Sequence, residues 1–228
     1  MAHGHGGNLR ELAAASGRAV DTLLDFSANI NPLGPPAWLR PVISRHVESL
    51  VHYPDPAANP LCEAAAERWG VPPACVVAGN GSTEILYAAL RCLGARRAVI
   101  PVPSYIDYAR AASLAGLAVH PLPMTEAYGF VLDLDAVAGS CARGTVVLLG
   151  QPNNPTGQLL DRHELDALVR AHSETWFVVD EAFVDFCGEE HSLLPALPEN
   201  ALVLRSLTKF YAVPGLRLGL GVAAKPLA

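Results

Sequence analysis

Two hydroxyls precede a lysine, and an arginine follows eight residues later, in the run Ser206-Leu207-Thr208-Lys209-Phe210-Tyr211-Ala212-Val213-Pro214-Gly215-Leu216-Arg217-Leu218-Gly219. Sixteen residues of the chain are Lys or Arg, and only Lys209 and Lys225 are lysine. Arginine stays protonated, whereas a desolvated lysine becomes a nucleophile. Ser206, Thr208 and Arg217 are donors suited to a dianionic phosphate. A reactive amine beside a phosphate cup is the equipment for a Schiff base to pyridoxal phosphate (PLP). Taken alone, the stretch reads equally well as a solvated lysine opening a short helix.

Four other groups carry chemistry. Gly79-Asn80-Gly81-Ser82-Thr83-Glu84 places glycines before a helix start, where free N–H groups attract an anion. It lacks the third glycine of a dinucleotide fingerprint and the Gly-Lys-Ser/Thr of a P-loop, and taken alone it is a weak signal, read more often as a plain tight turn. Gln151-Pro152-Asn153-Asn154-Pro155-Thr156-Gly157 is a rigid turn, structural in itself or aiming the Asn154 amide at a ligand oxygen. Asp180 closes the run Trp176-Phe177-Val178-Val179-Asp180. A carboxylate there resists ionising unless a cation sits beside it, and a protonated pyridine nitrogen is such a cation. An N-cap or a metal ligand is the other reading, with no His/Cys cluster nearby in sequence. Tyr105, in Pro103-Ser104-Tyr105-Ile106-Asp107-Tyr108, is placed either to stack on a flat ring or simply to pack.

These groups need elements to hold them. Apolar runs predict strands at Cys75–Ala78, Ala98–Val102, Ala118–Pro121, Thr145–Leu149, Trp176–Asp180, Ala201–Arg205 and Gly219–Ala223. Amphipathic segments between them predict helices at Ser82–Leu93, Ser104–Ala115, Leu134–Ser140 and Asp161–Ala171, the last opening on a near capping box. Asn59-Pro60 reads as an N-cap and first-turn proline of a helix reaching Trp69. Residues 1–58 read as an extended arm with one short helix near Pro36–Leu50. Continuous apolar strands alternating with helices predict an α/β fold, a mostly parallel seven-stranded sheet covered on both faces. The last strand follows its predecessor too closely for a helical crossover and is expected to run antiparallel. In such sheets ligands bind beyond the carboxyl ends of the strands, where all five chemical groups fall.

The bulk composition narrows the function classes. At 228 residues and 51% hydrophobic, the chain suffices for one large core. Its net charge of −6 argues against a nucleic-acid partner. No apolar run is long enough to span a bilayer, and the first residues lack the character of a signal peptide. Five scattered cysteines without a CxxC predict a reduced, cytoplasmic setting.

With Asn153-Asn154-Pro155-Thr156-Gly157, Asp180-Glu181-Ala182-Phe183 and Ser206 through Gly219 in order, the chain resembles the fold-type I PLP enzymes of the class I/II aminotransferase superfamily. The resemblance implies that Lys209 is the Schiff-base lysine, that Asp180 pairs with the pyridine nitrogen and that Asn154 holds the ring hydroxyl oxygen. Tyr105 would stack on the ring. Ser82, Thr83, Ser206, Thr208 and Arg217 would hold the phosphate. Tyr53 matches a tyrosine that reaches the phosphate in a partner subunit, which implies a homodimer with shared active sites. His5-Gly6-Gly7-Asn8, with Asp25 through Gly34, is similar to the threonine-phosphate decarboxylases of cobalamin biosynthesis. That likeness implies His5 and Asn29 as substrate-binding residues for a small phosphorylated amino acid, with Phe183 where many aminotransferases carry tyrosine. Histidinol-phosphate aminotransferases share the later motifs and are the alternative, and a non-catalytic PLP-binding remnant is a third. The expected organisation is an arm and small-domain segment over 1–58 and a PLP-binding large domain over 59–228, with the family's C-terminal small domain absent from this sequence.

Overall fold

The computed structural model describes residues 6–224. In chain order the elements are α1 (Leu9–Ser16), α2 (Leu39–His46), α3 (Asn59–Trp69), β1 (Val76–Asn80), α4 (Ser82–Cys92), β2 (Arg97–Val102), α5 (Ile106–Leu114), β3 (Ala118–Pro123), α6 (Leu134–Ser140), β4 (Thr145–Gly150), α7 (Arg162–Ala171), β5 (Trp176–Asp180), β6 (Ala201–Ser206), α8 (Leu207–Phe210) and β7 (Leu218–Ala223). The strands form one sheet of seven in the order β1-β7-β6-β5-β4-β2-β3. β7 pairs antiparallel with both β1 and β6, and the remaining pairs are parallel. The expected fold class and the reversed final strand are therefore both present.

Both faces of the sheet are covered. Alternate strand residues point to opposite faces. Val147, Leu149, Phe177, Val179, Ala201 and Val203 pack with α3, α6 and α7. Val146, Leu148, Val178, Leu202 and Leu204 pack with α4 and α5. Every residue of β4 and β6 is buried, which explains their unbroken apolar runs. β5 spans the predicted residues one for one, and the other strands begin or end within two residues of expectation.

Three local expectations need correction. The arm carries a second helix, α1, which Asn8 caps: its Oδ1 accepts the Glu11 amide at 3.3 Å and its Nδ2 donates to Glu11 Oε2 at 2.7 Å. The Asn8 and Glu11 side chains thus support each other at the helix start, although Glu11 accepts the Asn8 side-chain amide where a capping box would use the backbone N–H. Asn59 does not cap α3. The cap residue is Ala58 in the left-handed region at φ 51, and Asp55 Oδ2 accepts the Asn59 amide at 2.9 Å. The predicted Pro36–Leu50 helix is split, α2 ending at His46 before a 3-10 turn over Glu48–Val51. Asp161 caps α7 as expected, accepting the amides of His163 and Glu164 at 2.8 and 3.1 Å.

Candidate active site

The strand order sets the predicted residues side by side. In register, Asn80 of β1 faces Leu218 of β7, and Gly219 of β7 faces both Gly79 of β1 and Ser206 of β6. The anion turn, the start of β7 and the end of β6 thus share one edge of the sheet. Asp180 ends β5 at the same edge, and the turn after β4 continues from it, the Gln151 amide donating to the Asp180 carbonyl at 2.9 Å.

The candidate phosphate cup lies at the start of α4. Gly81, at φ +83, turns the chain into that helix. A side chain there would meet Arg217 Nη2 at 2.6 Å, so the guanidinium lies against the turn. Arg217 Nη2 also donates to the Asn80 carbonyl at 3.3 Å. Glu84 folds back to accept the Asn80 amide at 2.6 Å. Ser206 and Thr208 are buried and hydrogen-bond to each other at 2.9 Å. Gly219 brings β7 against this turn: a Cβ on it would stand 2.1 Å from the Ser82 nitrogen. The clash is with backbone, so Gly219→Ala is expected to cost about 3 kcal/mol and to weaken anion binding at the turn. Urea unfolding and a PLP titration check this; wild-type values in both would show that the turn yields freely.

Asp180 is the centre of the site's electrostatics. Its carboxyl is pushed up to about 6, chiefly by burial. The Tyr108 hydroxyl, donating to Oδ2 at 3.0 Å, the Ala182 amide, donating to Oδ1 at 3.1 Å, and the Lys209 charge pull the other way. The Lys209 amine is held below the usual lysine range by burial and by the Arg217 charge, against the attraction of Asp180. A lysine amine lowered by burial and by a neighbouring guanidinium, with Asp180 opposing the shift, is suited to act as a nucleophile.

The remaining predicted residues divide. Tyr105 donates to Asp107 Oδ2 at 2.8 Å, lies 3.4 Å from Thr83 Oγ1 and meets Tyr108 edge to face at 5.5 Å. Its hydroxyl is pushed up to about 12, chiefly by burial. Asn153 is the turn's structural member: its Nδ2 reaches the Pro103 carbonyl at 3.1 Å and Thr156 Oγ1 at 2.8 Å. Asn154 lines a cavity of 380 Å³ together with Asn29, Ile30, Phe183, Phe186 and Cys187. Asn29 of the arm and Asn154 of the turn therefore share one cavity. Tyr53 is fully exposed. His5 lies outside the described residues.

The structure adds residues that the sequence did not reveal. Asn31 ties the arm to the lysine segment: its amide donates to the Lys209 carbonyl at 3.1 Å and its side chain to the Phe210 carbonyl at 2.8 Å. Tyr108 joins the site through Asp180. Its signal was position: Tyr105 stands just before α5 and Tyr108 in its first turn, where the two rings meet edge to face.

The aminotransferase class I and II family matches residues 21–228. The chain belongs to this family. Over 220 residues it is 42% identical to the threonine-phosphate decarboxylase of Salmonella typhimurium, which takes in 94% of this chain and 60% of that protein. It is 35% identical over 208 residues to the histidinol-phosphate aminotransferase of Chlorobium luteolum, covering 89% of this chain and 58% of that protein. The crystal structure of L-threonine-O-3-phosphate decarboxylase from Porphyromonas gingivalis matches with a TM-score of 0.77 at 28% identity, over 90% of this chain and 61% of that one. The chain thus spans less than two thirds of the length of these three aminotransferase-family proteins.

Pyridoxal phosphate is the cofactor of such class I/II enzymes. The donor set fits it. The α4 N-terminus, Arg217 and the two buried hydroxyls suit a phosphate, Asp180 suits a ring nitrogen that carries a proton, and Lys209 suits the aldehyde carbon. No helix among the described residues is long and apolar enough to cross a membrane.

Proposed function

We infer that this chain carries the cofactor site of a threonine-phosphate decarboxylase, which converts L-threonine O-3-phosphate to (R)-1-amino-2-propanol O-phosphate and CO2 in cobalamin biosynthesis. Residues 59–228 are its cofactor-binding domain and residues 1–58 its arm. The observation that carries the reading is the shared cavity of Asn29, Asn154 and Phe183. It brings the arm, which bears the decarboxylase-like motif, to the turn that would hold the ring oxygen. Phe183 has no hydroxyl to offer that oxygen, which fits the decarboxylase reading.

PLP, when bound, supplies a ring that accepts electron density from a bond at the substrate's Cα. The chain's residues do the rest. Lys209 would hold the cofactor's aldehyde through its amine and would deliver to Cα the proton that replaces the departing carboxylate. Asp180 holds the proton on the pyridine nitrogen. Thr83, Ser82, Ser206, Thr208 and Arg217 fix the phosphate, and Tyr105 covers one face of the ring. Asn29 and His5 hold the substrate. Tyr53 serves a second copy of the chain in a homodimer, a reading supported by its exposure beside exposed Leu50 and Val51.

The identity to histidinol-phosphate aminotransferase supports a second reading, transfer of the amino group. An assay of the natural full-length protein separates them. L-threonine phosphate and histidinol phosphate are offered in parallel with 2-oxoglutarate, and CO2 and glutamate are measured. The expected result is CO2 from threonine phosphate and no glutamate. Glutamate from histidinol phosphate without CO2 would move the protein to the aminotransferases.

A further inference from the structure

Behind the site, on the other face of the sheet, lies a charge cluster that the proposed chemistry does not use. Arg205 precedes Ser206 and Glu181 follows Asp180. Successive residues of an extended chain point to opposite faces, so while Asp180 and Ser206 share the α4/α5 face, Glu181 and Arg205 share the α3/α7 face. The Glu181 amide still bonds to the Leu204 carbonyl at 2.8 Å, continuing the ladder between β5 and β6 by one step. The side chains of Arg205 and Glu181 are 1% and 0% exposed.

The pair is densely bonded. Arg205 Nη1 donates to Glu181 Oε2 at 3.2 Å. Glu181 also accepts from Ser192 Oγ at 2.6 Å and from the Leu193 amide at 2.8 Å. Arg205 Nη2 donates to Asp185 Oδ1 at 2.6 Å, both Nη atoms reach Glu189, and the guanidinium lies 5.3 Å from the centre of the Trp69 ring. Burial pushes Glu181 up to about 7 and raises Asp185, so the cluster holds its charges at a cost. Buried ion pairs are often no better for stability than apolar residues of the same volume. What such a pair does supply is a fixed geometry between the two backbones that bear it.

The geometry points to Arg205 and Glu181 as positioning residues that set the spacing between Asp180 and the Ser206–Lys209 segment, and hence between the ring-nitrogen partner and the phosphate and amine partners. This rests on the proposed PLP site. A ring cofactor is rigid, so its two ends must find their partners at one distance, and a small misplacement is expensive.

The test compares the chain with Glu181→Gln, Ser192→Ala and a control, Leu165→Ala, which opens a cavity under the same face of the sheet. Folding is followed by circular dichroism and urea unfolding, PLP affinity by absorbance titration, and the attachment point by borohydride reduction and peptide mapping. The expected result is PLP on Lys209 of the unsubstituted chain, with affinity about tenfold weaker in Glu181→Gln and weakened in Ser192→Ala, while Leu165→Ala loses stability and stays within about twofold in affinity. Should Glu181→Gln fail to fold, Ser192→Ala, which removes the hydroxyl that donates to Glu181 and accepts the Leu194 amide, carries the test. Variants that bind PLP as well as the control would reduce the cluster to a structural role and overturn the inference, leaving the functional reading intact. No PLP on Lys209 of the unsubstituted chain would sink the functional reading and this inference with it.

Discussion

Asp180→Asn is expected to lower turnover of the full-length enzyme about a hundredfold while PLP remains attached. An ion pair strengthened in the transition state is worth ~3 kcal/mol, which is that factor in rate. The phosphate cup and the Lys209 amine remain in place without the carboxylate, so PLP stays attached although it is held less tightly. The same variant has a second signature without cofactor. Asp180 is pushed up to about 6 in the folded chain, above its ordinary value of 3.8, so folding favours its protonated form. That contribution is present below pH ~4 and is lost as pH rises through ~6. Asn cannot titrate, so the stability of the variant relative to the unsubstituted chain should improve across that window. Turnover within a few-fold of normal would show that Asp180 does not hold the ring proton. A stability difference independent of pH would show that its carboxyl is not perturbed.

Arg205→Ala carries the largest expected loss of stability, about 3–5 kcal/mol in urea unfolding. The magnitude follows from what is left behind. Glu181 and Asp185 keep their carboxylates in the interior and lose the guanidinium that pairs them. Trp69 loses the cation beside its ring as well. Glu189 is better placed, since it is partly exposed and retains Arg68 at 3.0 Å. A loss below about 1 kcal/mol would mean that water or local rearrangement already neutralises the buried acids.

How far the sequence carried depended on whether a feature is local. The strands were legible because burial on both faces demands unbroken apolar runs, and Trp176–Asp180 is the plainest case. The direction of β7 was legible because too little chain separates it from β6 for a crossover. The candidates Ser82, Thr83, Asn154, Asp180 and Ser206 could be picked out because each lies at or just beyond a strand end with a polar type that burial alone would not select, whereas Asn29 and Tyr53, in the arm, came only from the resemblance. α1 was missed although its signal, Asn8 with Glu11 three residues on, was present; the surrounding glycines and histidines masked it. The Arg205–Glu181 pair was half legible. An arginine closing the apolar run Ala201–Leu204 is a buried charge in need of a partner, but the partner stands 24 residues away across the strand register. Asn31 is of the same kind: its bonds to the carbonyls of Lys209 and Phe210 close a loop of 179 residues to the latter, and no local pattern announces them.

Everything proposed for the site turns on the amine of Lys209. The direct test incubates the chain with PLP, reduces it with borohydride and maps the labelled peptide, with Lys209→Ala treated alongside. The depressed Lys209 amine beside Asp180 and the phosphate cup predicts a visible absorption band, one fixed cofactor on the peptide that contains Lys209, and neither in the variant. Label on Lys225, or an unchanged spectrum in Lys209→Ala, would contradict it.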